Sequence, residues 1–432
     1  MRIKNDELRI ILYLCSKFMN INEKTGQYIR QHADDDVRQL ALQGTKDGGV
    51  DLPMALQQIA GWQTARHKLP SWAAVDGIVY PPHLNMEQCS SEQTAQYKRS
   101  LSTALSPTGK GSGVFVDLTG GFGVDFYWMS QGFQKRIYVE QNEELCAIAE
   151  HNFRLLGLSC TVVCGSATDY LTAMEETADC IYLDPARRNE HGGRTYGITD
   201  CTPNVLELLP LLTAKAHRVI LKLSPMLDWR KAVADLRCVS EVHIVSVDNE
   251  CKELLIGMRN EKWGMRNGTG GICVACVNFQ KDGCQRFAFD ATPSAQPISH
   301  SPFPISHSSF LISHFLYEPN ASIMKAGCFA ELEQRFAVRQ LSANSHLFLS
   351  ADEIGDFPGR RFHIETVTTM NKRELKAALA GIDRANIAVR NFPLSADALR
   401  QKLKLKDGGE VFIFAATGRD SQHLLFICRK IG

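Results

Sequence analysis

The sequence predicts an α/β protein built on a mostly parallel, doubly wound sheet, with a helical region before it and small α+β modules after it. Three observations carry that expectation. From about residue 110 to 260, short apolar runs alternate with amphipathic stretches, the rhythm of strands joined by crossover helices. The first 100 or so residues show helical periodicity with few β-branched runs, and the last seventy or so read strand, helix, strand, helix, strand, strand. At 432 residues and 44% hydrophobic, the chain is long enough for two to four domains with real cores.

In chain order, residues 1–100 form a helical N-terminal domain, carried by LRIILYLCSKFMN and VRQLALQG and broken near KLPSWAAVDGIVYPPHLNMEQCSSE. Residues 101–262 hold the sheet, with strands VFVDL, RIYVE, CTVVC, CIYLD, RVILKLS, EVHIVSV and ELLIGM. The last two lie too close for a helical crossover and are expected to pair as an antiparallel edge hairpin. Residues 263–315 hold a strand pair, GGICVACVNFQ and RFAFD, and a repeat, PISHSPF, PISHSSF, LISHFLY, with His300, His307 and His314 in register. Its prolines and serines do not suit one helix face, so the repeat reads as tandem duplication in a linker, not as a metal site. Residues 316–361 form a small α+β segment and 362–432 a compact α+β module. Lys372, Arg373, Lys376, Arg384, Arg390, Lys402, Lys404 and Lys406 make the module's helical middle basic: either a phosphate-contacting face or a solvated one balanced by Glu374, Asp383 and Asp397.

The formal charge of +1 neither supports nor excludes a nucleic-acid partner; a local basic patch would have to supply the affinity. The start, MRIKNDELRIILYLCSKFMN, lacks the order of a signal peptide, and no stretch approaches the roughly 18 to 20 apolar residues of a membrane span. A cytoplasmic protein with no membrane partner is expected. The 14 cysteines are scattered through apparent strands and helices, as reduced core thiols are. Cys273 and Cys276 form a C-x-x-C with no second pair, and in a strand their thiols face opposite sides, so no metal is expected.

The chemistry is concentrated at strand ends. In VFVDLTGGFGVDFYWMS the glycines Gly120, Gly121 and Gly123 fall where a strand turns into a helix, so backbone can approach a ligand and the helix can offer free N–H groups. Asp117 precedes the turn and Asp125 follows it. The second strand ends in Glu140, which in a doubly wound sheet sits beside the first loop and can accept both hydroxyls of a ribose. This spacing serves NAD or S-adenosylmethionine. However, Val124 and Asp125 stand where the dinucleotide fingerprint has its third glycine, and acids around the loop would repel a pyrophosphate while suiting a positively charged amino-acid end.

These motifs resemble those of class I S-adenosylmethionine-dependent methyltransferases: DLTGGFGVD their first motif, VEQNEELCAIAEHNFRLLGL their second strand and helix, CGSATDYL their third-strand motif, and IYLDPARR their fourth, D/N-P-P-Y/F, position. The closer resemblance is to a bacterial group with a THUMP-like domain, in which DLTGGxGxD and DPARR occur together and a small α+β module follows. It implies a Rossmann-like sheet, S-adenosylmethionine as methyl donor, and an RNA substrate, tRNA or rRNA. It also implies that Asp117, Thr119, Gly120, Gly121, Gly123 and Asp125 line the cofactor's methionine end, that Glu140 holds its ribose, and that Ser166, Ala167 and Asp169 lie on the adenine side. Asp184 and Pro185 match the catalytic acceptor motif.

Ala186 and Arg187 replace the motif's second proline and aromatic residue; an arginine plane can stack on a base or grip a phosphate, which keeps Arg187 and Arg188 useful. DPAR also occurs in RNA uridine carbon-5 methyltransferases, which need a cysteine after the fifth strand. Here that stretch is VILKLSPMLDW, with no cysteine; Lys222 and Ser224 are the pocket groups it offers to substrate, and Cys251 reads as a free thiol in a hairpin loop. Two other readings stay open: a methyltransferase acting on a protein or small molecule, and a noncatalytic RNA-binding protein on this scaffold.

Overall fold

A computed structural model describes residues 21–45, 47–103, 113–187, 197–259, 271–291, 313–418 and 421–431. The chain divides into two compact units, Met1–Ser240 with Leu255–Gly268, and Glu241–Leu254 with Thr269–Gly432.

Among the described residues the first unit opens with six helices: α1 (Glu23–Gln31), α2 (Val37–Gln43), α3 (Leu52–Lys68), α4 (Pro70–Ala73), α5 (His83–Gln88) and α6 (Glu92–Thr103). Side chains of Asn22, Asp36 and Asp51 cap α1, α2 and α3 by accepting first-turn N–H bonds, which fixes where each begins. The segment Ile78–Tyr80 ties these helices to the sheet domain. The Gln58 amide bonds both backbone groups of Tyr80, and the buried Asn152 amide bonds both backbone groups of Val79, at 2.8 to 2.9 Å. Trp72 packs edge-on against Phe122 and Tyr127, with ring centroids 5.1 and 5.6 Å apart. The helical region is therefore part of the first unit's core.

The sheet follows in β1 (Val114–Asp117), α7 (Val124–Met129), β2 (Lys135–Glu140), α8 (Glu143–Leu155), β3 (Thr161–Cys164), α9 (Ala167–Ala173) and β4 (Ala178–Leu183). A short antiparallel pair, β5 (Ala186–Arg187) and β6 (Cys201–Thr202), precedes α10 (Val205–Lys215), β7 (Ala216–Leu223) and α11 (Trp229–Leu236). The order is β7-β4-β1-β2-β3, all parallel. Central strands β1, β4 and β7 are almost continuously buried, whereas β3 at the margin is half exposed, as burial on both faces against one requires. The chain steps from β1 to β2 and β3, then returns to β4 and β7. That reversal opens a crevice at the carboxyl ends of β1 and β4.

In the second unit, β8 (Val239–Val247) and β9 (Glu250–Arg259) are joined by Asp248 and Asn249, with φ angles of 49° and 63°; the edge hairpin expected from the sequence forms, but with a two-residue turn in place of the longer loop between EVHIVSV and ELLIGM. β9 runs on into the first unit. Beyond β8 the strand pair β10 (Ile272–Gln280) and β11 (Gly283–Ala291) continues the sheet, β10 parallel to β8 and β11 antiparallel to β10. Along β10, Cys273 is exposed and Cys276 buried, on opposite sides as strand alternation demands.

A seven-stranded sheet completes the unit: β12 (Phe315–Pro319), α12 (Ala321–Ala326), α13 (Phe329–Phe336), β13 (Arg339–Gln340), β14 (Phe348–Ser350), β15 (Gly359–Thr369), α14 (Lys372–Ala378), β16 (Asn386–Arg390), α15 (Ala396–Leu403), β17 (Val411–Thr417) and β18 (His423–Lys430). Its order is β13-β14-β12-β15-β18-β17-β16. Alternate residues of β17 face two cores. Phe414 joins one with Phe362 and Phe426, while Ile413 and Ala415 join another with Leu375 and Ala378 of α14 and Leu399 and Leu403 of α15. Both helices therefore cover the same face. His300 and His307 lie outside the described residues; His314 is exposed, its N–H bonded to the Ser350 carbonyl at 3.1 Å.

Candidate active site

β1 delivers Asp117 to the crevice almost fully buried. One carboxylate oxygen accepts the Thr119 N–H at 2.9 Å; the other, Oδ2, has no hydrogen-bond partner among the described residues. Burial pushes its pKa well above the usual carboxylate range, against the Thr119 bond, and the charges of Asp125, Asp184 and Glu140 push the same way. Two of the following glycines are sterically required. A Cβ on Gly120 would lie 2.0 Å from the Tyr138 ring and one on Gly123 2.5 Å from the Phe153 ring. Gly121 differs: its φ is 56°, and a Cβ there would meet only the Thr119 carbonyl, at 3.9 Å, so this part of the turn borders open space. Glu140, at the tip of β2, accepts the Gly121 and Asn142 N–H groups at 2.9 Å each, which locks its carboxylate against the glycine turn.

β4 and β7 supply the next pair. The Thr119 hydroxyl accepts the Asp184 N–H at 2.7 Å, stitching the β1 loop to the tip of β4. Lys222, on β7, donates its ammonium to Asp184 Oδ2. The lysine side chain is 13% exposed and the aspartate 36%, so the carboxylate is the more accessible partner. Desolvation still raises the Asp184 pKa, opposed by Lys222 and reinforced by Asp125. Pro185 behind it is buried.

Asp125 opens α7 and turns inward. Lys98 of α6, fully buried, lies 3.0 Å from one oxygen, and the Ser90 and Tyr182 hydroxyls donate to the other at 2.8 and 2.7 Å. The Lys98 ammonium also donates to the Ser90 hydroxyl at 2.8 Å. Burial raises the Asp125 pKa, but Lys98, Lys222 and the Tyr182 bond outweigh it and hold the group below the usual range. Lys98, Ser90 and Tyr182 were absent from the sequence reading. A signal existed for Lys98: on α6 it shares a buried stripe with Thr94, Ala95, Leu101 and Ser102, the spacing of a core face.

Asp117, Thr119, Gly121, Asp125, Glu140, Asp184 and Lys222 thus meet around one crevice. On the third-strand loop, the Gly165 N–H bonds the Glu140 carbonyl at 2.9 Å, which sets the loop beside β2. Ser166 caps α9 by accepting the Asp169 N–H, followed by Ala167 with Asp169 exposed in the first turn. The Ser224 hydroxyl accepts the Met226 N–H at 3.3 Å, and Met226, four residues past Lys222, is 77% exposed. Arg187 pairs through its backbone with Cys201; its side chain and Arg188 lie outside the described residues. Cys251, expected in a hairpin loop, lies instead within β9 of the second unit, because the strand already begins at Glu250; burial raises its thiol pKa, with Lys325 pulling the other way. Among the described residues, no group of three His, Cys, Asp or Glu side chains suits a metal ion, and no helix is long and apolar enough to cross a membrane.

A parallel sheet with this order and acids at consecutive strand tips is the fold of class I S-adenosylmethionine-dependent methyltransferases. A crystal structure from Porphyromonas gingivalis W83, provisionally described as a methyltransferase, is 30% identical to the chain, covers 96% of it and 99% of its own length, and superposes with a TM-score of 0.80. Family models match residues 359–430 as THUMP domain-like and 315–358 as a ferredoxin-like domain. The chain belongs to the methyltransferase family that carries a C-terminal THUMP-like domain. Partial likenesses include a SAM-dependent methyltransferase of Agrobacterium tumefaciens (16% identity, 40% of this chain and 64% of that one, TM-score 0.31) and M. capricolum TrmK in complex with S-adenosylhomocysteine (13%, 40% and 71%, 0.29). No curated protein matches the chain.

Proposed function

We propose that the protein transfers the methyl group of S-adenosylmethionine to a base of RNA, in tRNA or rRNA, in the cytoplasm. The observation that carries the reading is the buried Asp117 carboxylate with an oxygen unpartnered among the described residues, beside a glycine turn that opens at Gly121 and a Glu140 locked at the next strand tip. An unpaired buried acceptor costs free energy unless a donor arrives, and a cationic amino group is the donor it suits.

S-adenosylmethionine would supply an electrophilic methyl group on a sulfonium. Asp117 and the turn Thr119 to Gly123 would hold its amino-acid end, and Asp125 would fix that turn through Lys98. Glu140 would hold the ribose, and the loop of Ser166, Ala167 and Asp169 the adenine side. Asp184 and Pro185 would orient the acceptor base, with Arg187, Arg188, Lys222 and Ser224 on the substrate side. Alignment of nucleophile and methyl carbon is the main task for in-line displacement. The RNA part of the reading is supported by the THUMP-like match and by α14 and α15, which cover one sheet face. Lys372, Arg373 and Lys376 of α14 and Lys402 of α15 are exposed, as are Arg384, Lys404 and Lys406 in the segments that follow these helices, while Arg390 is engaged by Glu318.

Calorimetry with S-adenosylhomocysteine tests the cofactor, and absence of binding sinks the reading. Labelled S-adenosylmethionine with total RNA from a strain lacking the gene tests the acceptor; label found only in protein or small molecules rules RNA out. Asp184→Ala is expected to abolish transfer and to leave S-adenosylhomocysteine affinity largely intact.

A further inference from the structure

We infer that the Lys222–Asp184 pair selects a lactam edge, the N–H beside C=O of guanine or uracil, and that methylation falls on the lactam ring nitrogen. This rests on the proposed methyl transfer to RNA and names the atom. The pair presents an ammonium donor and a carboxylate acceptor side by side, with the carboxylate the more open of the two. The Thr119 hydroxyl holds the Asp184 backbone, and the ammonium of Lys222 is held by the Asp184 carboxylate, so the donor and the acceptor stay adjacent.

Such a pair can bond every base, since each offers a neighbouring donor and acceptor; chemistry separates them. With adenine or cytosine, Asp184 would accept from the exocyclic amine while Lys222 donates to the adjacent ring nitrogen. A cation there draws the amine's lone pair further into the ring and weakens the nucleophile. With guanine or uracil, Asp184 accepts from the ring N–H and Lys222 donates to the carbonyl oxygen. The same cation then stabilises the negative charge that builds on oxygen as the proton leaves. Lys222 therefore hinders amine methylation and assists lactam methylation.

In the balanced step, the ring N–H proton passes to the Asp184 carboxylate. The nitrogen's electron pair forms the new bond to the methyl carbon, and the electrons of the broken carbon–sulfur bond remain on sulfur, which becomes a neutral thioether. Asp184 must be ionised at the start. The charged groups that face it are Lys222 from β7, Lys98 from α6, Asp125 from α7 and Asp117 from β1. Desolvation raises its pKa, which strengthens it as a base.

The full chain is incubated with methyl-labelled S-adenosylmethionine and RNA from the deletion strain, then the RNA is digested to nucleosides. Label in 1-methylguanosine or in 3-methyluridine is the expected result, and the nucleoside found identifies the base. Label in any amine-methylated nucleoside, in 1-methyladenosine, on carbon or on ribose overturns the inference and leaves RNA methyl transfer standing; no labelled RNA at all removes the underlying reading. Lys222→Met is expected to slow transfer about 10²- to 10³-fold, as loss of one donor to a developing oxyanion does, with S-adenosylhomocysteine affinity unchanged. It should also move the rise of rate with pH to higher pH, because Asp184 loses its cation. Lys222→Arg retains the charge and most of the rate. A Lys222→Met enzyme that binds S-adenosylhomocysteine and keeps the wild-type rate and pH profile overturns the proposal.

Discussion

Replacing Lys98 by methionine tests the buried network that joins the helical region to the site. Methionine fills nearly the same volume without the charge, so packing of α6 is kept and the perturbation falls on Asp125. That carboxylate is 11% exposed and its cation is 3.0 Å away. Removing one partner of a buried ion pair costs about 3–5 kcal/mol, because the other charge is left uncompensated. The Ser90 and Tyr182 hydroxyls remain, so the lower end, about 3 kcal/mol, is expected. In the wild type the folded Asp125 pKa lies below its unfolded value. Its contribution is then present above the unfolded carboxylate value, about 4, and is lost as pH falls through the folded one. In Lys98→Met, burial dominates and the sign reverses, so the stability gap between the proteins should widen from about pH 4 towards neutrality. Trp62, Trp72, Trp128 and Trp229 all fall in the first unit, so urea unfolding followed by tryptophan fluorescence reports chiefly on that unit. The double variant Lys98→Met with Asp125→Asn removes both charges and should recover much of the loss. A Lys98→Met gap below about 1 kcal/mol at neutral pH, or one that does not change with pH, would show that Asp125 does not depend on Lys98 for its charge.

The glycine turn makes a graded prediction. Gly120→Ala puts a Cβ into the Tyr138 ring and should cost about 1–3 kcal/mol and S-adenosylhomocysteine binding, whereas Gly121→Ala meets no such obstacle and should cost about 1 kcal/mol for its positive φ alone. Equal losses in thermal melts and calorimetry would contradict this. If Asp117 receives a cationic amino group, binding favours its ionised form and releases a proton; S-adenosylhomocysteine affinity should then rise with pH while Asp117 titrates, and Asp117→Asn should flatten the profile. Changing Lys372, Arg373 and Lys376 to alanine should weaken RNA binding and lower the salt slope by roughly 0.7 per lost phosphate contact in a filter-binding series, with S-adenosylhomocysteine binding unaltered.

Much of this was legible because its signals are local. Apolar runs and amphipathic stretches follow the periods of strands and helices, so VFVDL, RIYVE, CIYLD and RVILKLS could be ordered into a parallel sheet. Glycines after the first strand and acids at strand ends mark the crevice, since a doubly wound sheet gathers strand carboxyl ends at one edge. The terminal module's order also followed from its sequence, and β15-α14-β16-α15-β17-β18 is what forms. The β8–β9 hairpin could be expected from the short spacing of its strands, whereas its tight turn at Asp248 and Asn249 could not, because β9 begins before the apolar run that marks it. The strand pair that follows looked like part of a linker segment, and only pairing with β8 shows it continuing the sheet, because parallel pairing joins residues far apart in the chain.

The charged groups of the site divide along the same line. That Asp117, Glu140 and Asp184 each end a strand is legible in the chain, because each terminates its own apolar run. Tertiary structure alone decided their partners. Lys98 reaches Asp125 because α6 docks on α7, Tyr182 reaches it across 57 residues of chain, and Lys222 meets Asp184 because β7 lies beside β4. Strand order and helix docking set those distances, and a one-dimensional pattern holds neither. In IYLDPARR the acid's position could be read from the sequence, but the lysine that defines its chemistry lies 38 residues further along the chain.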